Sequence, residues 1–181
     1  NAGRGDGQPE HQAQRVDDDV PLLALAREFD AKTLLHLSTL TEQGSFSAQR
    51  AGAVLENDAS RAALIRNTVR TMREKGFAGV DVDFEFLGRT LAASYAAFLQ
   101  DLAEPVHTAG GYLMAAVAPK TSDDQPGVLY EGHDYAAIGR AVDQILVMTY
   151  EWGYTYGPPM AVAPIDAVER VVRYAVSRIE P

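Results

Sequence analysis

Cysteine is missing from all 181 residues, which excludes a disulfide framework, thiolate chemistry and any cysteine-based zinc site, and leaves the redox compartment open. Tryptophan occurs once, at Trp152. Basic side chains are also scarce: 16 Lys and Arg face 25 Asp and Glu, a formal net charge of -9, with no basic cluster anywhere. Phosphate backbones are held mainly by clustered cations, so nucleic acid is not the expected partner. No run approaches the roughly 18 to 20 apolar residues that cross a bilayer, and the polar start has no basic and apolar signal-peptide pattern. Membrane insertion is not expected of this segment.

What is present fits a globular chain. Hydrophobic residues make up 46% and charged residues 23%, enough for one sizeable core and one domain. Residues 1–19, "NAGRGDGQPEHQAQRVDDD", read as a polar leader without periodicity, expected to be disordered. Residues 20–181 read as one body, and a chain that starts without Met and stops after "SRIEP" is expected to be a fragment. Within that body, "PLLALAREF" has helical spacing and "TLLHLSTL" (33–40) suits a buried strand. "ASRAALIRNTVRTMREKG" puts Leu64, Ile65, Val69 and Met72 on one helical face, with Ser60 as N-cap and Gly76 as the stop. Residues 90–104 return to a helical period that Pro105 should end or kink. Buried strands are expected at 111–119 and 144–150, a short helix at 134–141, and a last helix with Val168, Val171, Val172, Ala175 and Ile179 on one face.

Strands alternating with helices imply parallel strands joined by right-handed crossovers, in a doubly wound sheet or a barrel of eight β/α units. The first choice would carry a glycine-rich first turn, and "GRGDG" lies in the leader with no strand before it. A barrel is therefore expected. Such barrels typically need about 250 residues, so this α/β chain reads as a partial (β/α)8 TIM barrel with two open sheet edges.

The chemistry concentrates in "GFAGVDVDFEF", residues 76–86. Side chains two apart on a strand share a face at roughly 6.5 to 7 Å, so Asp81, Asp83 and Glu85 form one row while Val80, Val82, Phe84 and Phe86 take the other face. In a barrel the acids would point inward, with Glu85 nearest the carboxyl end where active sites lie. Acids stacked in a poorly solvated channel share protons, and at least one pKa should rise as a general acid requires. An edge strand with one solvated face gives the same alternation. Gly79 before the acids and helices on both sides favour a central strand instead.

This run resembles the signature of family 18 glycoside hydrolases, in which Asp-x-Asp-x-Glu ends the fourth barrel strand. "VMTYEWGYTYGPPMAVAPI" (147–165) resembles the spore-germination branch of that family, as does "APKTSDDQPGVLYEGHDYAAIG" between the two. The resemblance covers residues 20–181 and implies roughly the third to sixth β/α units. It implies a β-N-acetylglucosaminidase acting on peptidoglycan, chiefly spore cortex fragments, at the spore coat or cortex or in the extracellular cell wall. Neither metal nor cofactor is implied, and wall-binding LysM modules would lie outside these residues. By the same resemblance Glu85 protonates the leaving oxygen, Asp83 orients the substrate N-acetyl group as it attacks the anomeric carbon, Asp81 tunes Asp83, and Tyr150 donates to the N-acetyl oxygen. Met148 belongs to the same motif.

The chain departs from the family at several positions. Ala78 stands where the broader motif has Asp, "LLHLSTL" lacks the chitinases' Ser-x-Gly-Gly, and Glu151 follows Tyr150 where many members have Asp. The last strands, which supply an aromatic sugar floor in the family, are not in the chain, and activity is not expected of the fragment alone. Among other candidates, Trp152, Tyr154 and Tyr156 could stack on sugar faces or serve the core, and Lys120 could point into the site. Asp134 reads as an N-cap after His133, and His36 as a hydrogen-bonded interior residue. Three alternatives stay open: a chitinase-type hydrolase, a metal-dependent hydrolase using the carboxylate row, and a non-catalytic glycan-binding module.

Overall fold

The computed structural model describes residues 19–153 and 156–180, so Tyr154 and the leader through residue 18 lie outside the described residues. Two units are distinguished, the first ending at Ala31. In it, α1 (Asp19–Glu28) carries Asp19 in its first turn and Arg27 in its last, each opposite in sign to the helix-dipole end it occupies. The helix ends where Asp30 turns left-handed (φ 52°) and Ala31 N–H reaches back to Ala26 O at 2.8 Å.

The second unit runs through β1 (Leu34–Ser38), α2 (Ala48–Leu55), α3 (Asp58–Lys75), β2 (Gly79–Asp83) and α4 (Gly88–Thr108). It continues through β3 (Tyr112–Val117), α5 (Val128–Glu131), α6 (Tyr135–Gly139), β4 (Gln144–Val147) and α7 (Ile165–Arg178). The four strands form one parallel sheet in the order β1-β2-β3-β4. Sequential order without reversal is that of a barrel wall, whereas a doubly wound sheet reverses direction at a switch point. The expected partial barrel is therefore what the chain forms.

One face of the sheet is the core. Val80, Val82, Leu113, Ala115 and Val117 are fully buried, packed with Met72 of α3 and with Tyr95, Phe98, Leu99, Leu102 and Val106 of α4. Burying each such Val, Leu or Phe contributes about 1.5–3 kcal/mol. The spacing Tyr95, Phe98, Leu99, Leu102, Val106 is the apolar stripe of a helix laid on a sheet. Glycine is required at 79, where any Cβ would collide with the Tyr112 carbonyl.

Several elements differ from the sequence-based expectation. α3 starts two residues before Ser60, capped by Asn57, whose Oδ1 accepts from Ser60 N–H at 2.8 Å, while Gly76 does close it in a left-handed conformation (φ 78°). Pro105 does not end α4, which runs on to Thr108. A helical proline forfeits one hydrogen bond, and fully buried Leu102 and Val106 hold the last turn in place. α2 was not anticipated: "AQRAGAVL" offers only Ala51 and Leu55 as buried positions, and its N-cap, Ser47, bonds Arg50 N–H. β4 stops at Val147 rather than residue 150. In α7 the buried stripe is Ala167, Val171 and Ala175, and Val172 is exposed.

Candidate functional site

Strand alternation places the acids on the face opposite the core, and the pairing register sets their neighbours. His36 is level with Asp81, and Ser38 with Asp83. His36 Nδ1 lies 2.8 Å from Asp81 Oδ2, and its Nε2 lies 3.9 Å from Asp83 Oδ2. His36 is thus hydrogen-bonded as expected but not interior, since its side chain is 55% exposed against 16% for each Asp. Asp81 Oδ1 and Asp83 Oδ1 are both buried without a hydrogen-bond partner among the described residues. A proton on one carboxyl relieves the repulsion of two such acids, and burial raises the Asp83 pKa, with Asp81 adding to the rise and His36 opposing it.

β2 ends at Asp83, so Glu85 sits just past the strand. Phe84 fixes it there: its ring is 2% exposed and stacks between Tyr95 and Phe98, with centroids 5.7 Å away in each case. Anchoring that ring in the core turns Asp83 and Glu85 to the other side. Burial, then Asp83, then Glu151 push the Glu85 carboxyl up to about 7. Phe86 breaks the expected alternation. It adopts a left-handed backbone (φ 55°) as the chain turns into α4, which swings its ring out of the core to 42% exposure, 6.3 Å from Phe46.

Asp83, Glu85, Met148, Tyr150, Glu151 and Trp152 line one cleft of about 460 Å³. The Tyr150 hydroxyl is raised in pKa by burial first and then by Asp83, Glu151, Glu85 and Asp81, so it stays protonated as a hydrogen-bond donor among the acids. Glu151 takes a left-handed backbone (φ 58°), and Trp152 N–H donates to Val162 O at 3.2 Å, which ties Trp152 to the segment before α7. The cleft wall also includes Phe86, Pro119, Leu129 and Tyr130, which sequence reasoning missed. Asp81 lies one layer below, outside the cleft lining, and acts on Asp83 through its charge.

Lys120 is not brought to the cleft. It is 3% exposed, and its Nζ donates to the His133 carbonyl at 3.0 Å, a buried environment that lowers its pKa. Asp134 caps α6 through Ala137 N–H at 2.9 Å, as its position predicts. A larger groove of about 620 Å³ runs along the outer side of α3, lined by Ile65, Arg66, Val69, Arg70, Arg73, Glu74 and Pro105. It holds a single carboxylate and no acid pair, so the smaller cleft is the candidate site. No group of three His, Cys, Asp or Glu among the described residues is arranged to hold a metal ion.

Known proteins share both the sequence and the fold. The family model for glycosyl hydrolases family 18 matches residues 19–178. The cortical fragment-lytic enzyme of Bacillus subtilis is 38% identical over 172 residues, 93% of this chain and 40% of that protein. The spore cortex-lytic enzyme SleL of Bacillus megaterium superposes with a TM-score of 0.82 at 40% identity, over 88% of this chain and 36% of that one. A class V chitinase of Pseudomonas fluorescens does so with a TM-score of 0.82 at 30% identity, over 88% and 50%.

Proposed function

The chain belongs to family 18 of the glycosyl hydrolases, and from that premise we propose that it carries the acid row of a β-N-acetylglucosaminidase acting on cortex peptidoglycan. It spans about 40% of the length of its Bacillus subtilis relative, so activity belongs to a complete barrel. Among the described residues no helix is long and apolar enough to cross a membrane. The site of action we infer is the spore cortex or the cell wall.

The observation that carries this reading is Glu85, held near neutrality at about 7 in the same cleft as Asp83 and Tyr150. A carboxyl with that pKa is protonated at mildly acidic pH and can give its proton to a leaving glycosidic oxygen. Ordinary retaining glycosidases place a second carboxylate about 5–5.5 Å from the first as nucleophile, whereas family 18 members use the substrate's own N-acetyl oxygen. In this chain Asp83 would hold the N-acetyl N–H and steady the positive charge of the oxazolinium. Asp81 and His36 would set how much negative charge Asp83 carries, and the Tyr150 hydroxyl would donate to the carbonyl oxygen as it turns nucleophile. Glu85, now a carboxylate, would then take a proton from the water that opens the ring. Met148, Glu151 and Trp152 would hold the sugar.

Two substrates that differ only at the 2-amino group test the step. The full-length polypeptide should hydrolyse an aryl β-N-acetylglucosaminide and fail on the free-amine analogue; equal rates on both would refute the N-acetyl nucleophile. Likeness to a class V chitinase supports chitooligosaccharides as a second substrate class, and competition between them and cortex fragments separates the two.

A further inference from the structure

Between β2 and β3 the backbone ladder stops short of the catalytic layer, and a side chain takes its place. Tyr112 N–H donates to Ala78 O at 3.2 Å, and pairing continues in register from Gly79 and Tyr112 to Val82 and Ala115. Parallel rungs recur every two residues on both strands. Stepping forward from that rung brings Phe84 O opposite Ala118 N. The imidazole of His133 stands between those two atoms: Ala118 N–H donates to Nδ1 at 2.9 Å, and Nε2 meets Phe84 O at 2.9 Å. A backbone N–H can only donate and a carbonyl can only accept, so the ring is the neutral Nε2–H tautomer.

Everything around the ring fixes it. His133 is fully buried and its ring lies 5.9 Å from that of Tyr95. Its carbonyl is held by Lys120 Nζ at 3.0 Å, and the next residue, Asp134, caps α6. The Tyr135 hydroxyl donates to Ala118 O at 2.5 Å and accepts from Lys120 N–H at 3.0 Å.

We propose that His133 is a positioning residue for the acid row. Its ring wedges β2 and β3 apart at the layer of Glu85, carries the hydrogen bonding across the gap through Phe84 O, and so sets the spacing of Asp83, Glu85 and Pro119 around the cleft. The inference rests on the glycosidase reading of that cleft. Burial brings the His133 pKa down to about 4, a change that Lys120 favours, so the ring keeps its acceptor over the range in which Glu85 works. Protonation would set Nδ1–H against Ala118 N–H, two donors face to face.

The experiment uses the full-length polypeptide and an aryl β-N-acetylglucosaminide, with Glu85→Gln as the control for the reading itself. His133→Phe keeps the ring and removes both hydrogen bonds; kcat should fall about a hundredfold through misplacement of the acid, with KM little changed and the basic limb of the pH profile displaced. His133→Gln, which can still donate to Phe84 O, should recover part of the loss. Parental kcat and pH profile in His133→Phe, beside an inactive Glu85→Gln, would overturn the positioning role alone. An active Glu85→Gln would overturn the glycosidase reading instead. Nitrogen-15 NMR of the unmutated protein gives a readout independent of activity and of whether a variant folds: bare Nδ1 and protonated Nε2 at pH 5.5 support the wedge. A ring titrating near the ordinary value of about 6.5, or protonated at Nδ1, contradicts it.

Discussion

At Glu85 the proton is held chiefly by burial and then by the negative charges of Asp83 and Glu151. A group that must donate its proton works below its pKa, so kcat should fall as pH rises through about 7. Glu151→Gln removes one of the charges that raise the value, and the limb should move to lower pH in a pH–rate profile; a limb that stays put would remove Glu151 from the circuit. The same shift bears on stability. Glu85 has a folded pKa of about 7 against an ordinary 4.5, so its contribution is full below 4.5 and lost as pH rises through 7. Glu85→Gln, which mimics the protonated form, should match the parent in Tm at pH 4 and exceed it at pH 8, as read by calorimetry. Much at this scale was open to sequence reasoning, because alternation is a local rule and two-residue spacing is enough to put Asp81, Asp83 and Glu85 in a row. Phe86 was not, since one left-handed residue cancels the rule. Nor was the orientation of Lys120, whose partner at His133 is set by how the loop after β3 folds back.

Among the elements, β2 is the one that positions the acids, and it depends on close approach to β3 at Gly79. Gly79→Ala presses a methyl group into the Tyr112 carbonyl, and the loss should lie at the upper end of the ~1–3 kcal/mol seen for overpacking. Urea unfolding checks it, and a neutral substitution would mean the strands separate without cost. α3 gives a sharper comparison of two neighbouring polar residues. Asn57→Ala removes the cap and should cost about 1 kcal/mol, while Ser60→Ala leaves the backbone N–H that donates to it untouched and should cost close to nothing. Reversal of that order would restore Ser60 as the cap. Long amphipathic helices could be read from period because many residues vote together; α2, with eight residues and Gly52 inside it, gives too few. The crossing of His133 to Phe84 spans 49 positions of chain, and no local pattern announces it.

For the molecule as a whole, residues 32–180 hold four consecutive parallel β/α units, with helices on one face of the sheet and the acids on the other. Alternation of strand and helix was enough for this architecture, and the position of the cleft followed from the barrel rule that chemistry gathers at the carboxyl ends of strands. Its walls were only partly foreseen, because Pro119 enters from the loop after β3 and Leu129 and Tyr130 from α5, which is too short to show a period. In the proposed reaction Glu85 gives and takes the proton and the Tyr150 hydroxyl only donates a hydrogen bond, so a chelator should leave the rate unchanged; loss of activity that added Mg²⁺ or Ca²⁺ restores would revive the metal-dependent alternative. Substrate assistance also fixes the stereochemistry, since two displacements at one carbon return its configuration. Anomer-resolved proton NMR of cortex fragments digested by the full-length polypeptide should show N-acetylglucosamine ends appearing first as the β anomer, and no product with Glu85→Gln. An initial α anomer, or undiminished release by Glu85→Gln, would contradict the role assigned to the acid row.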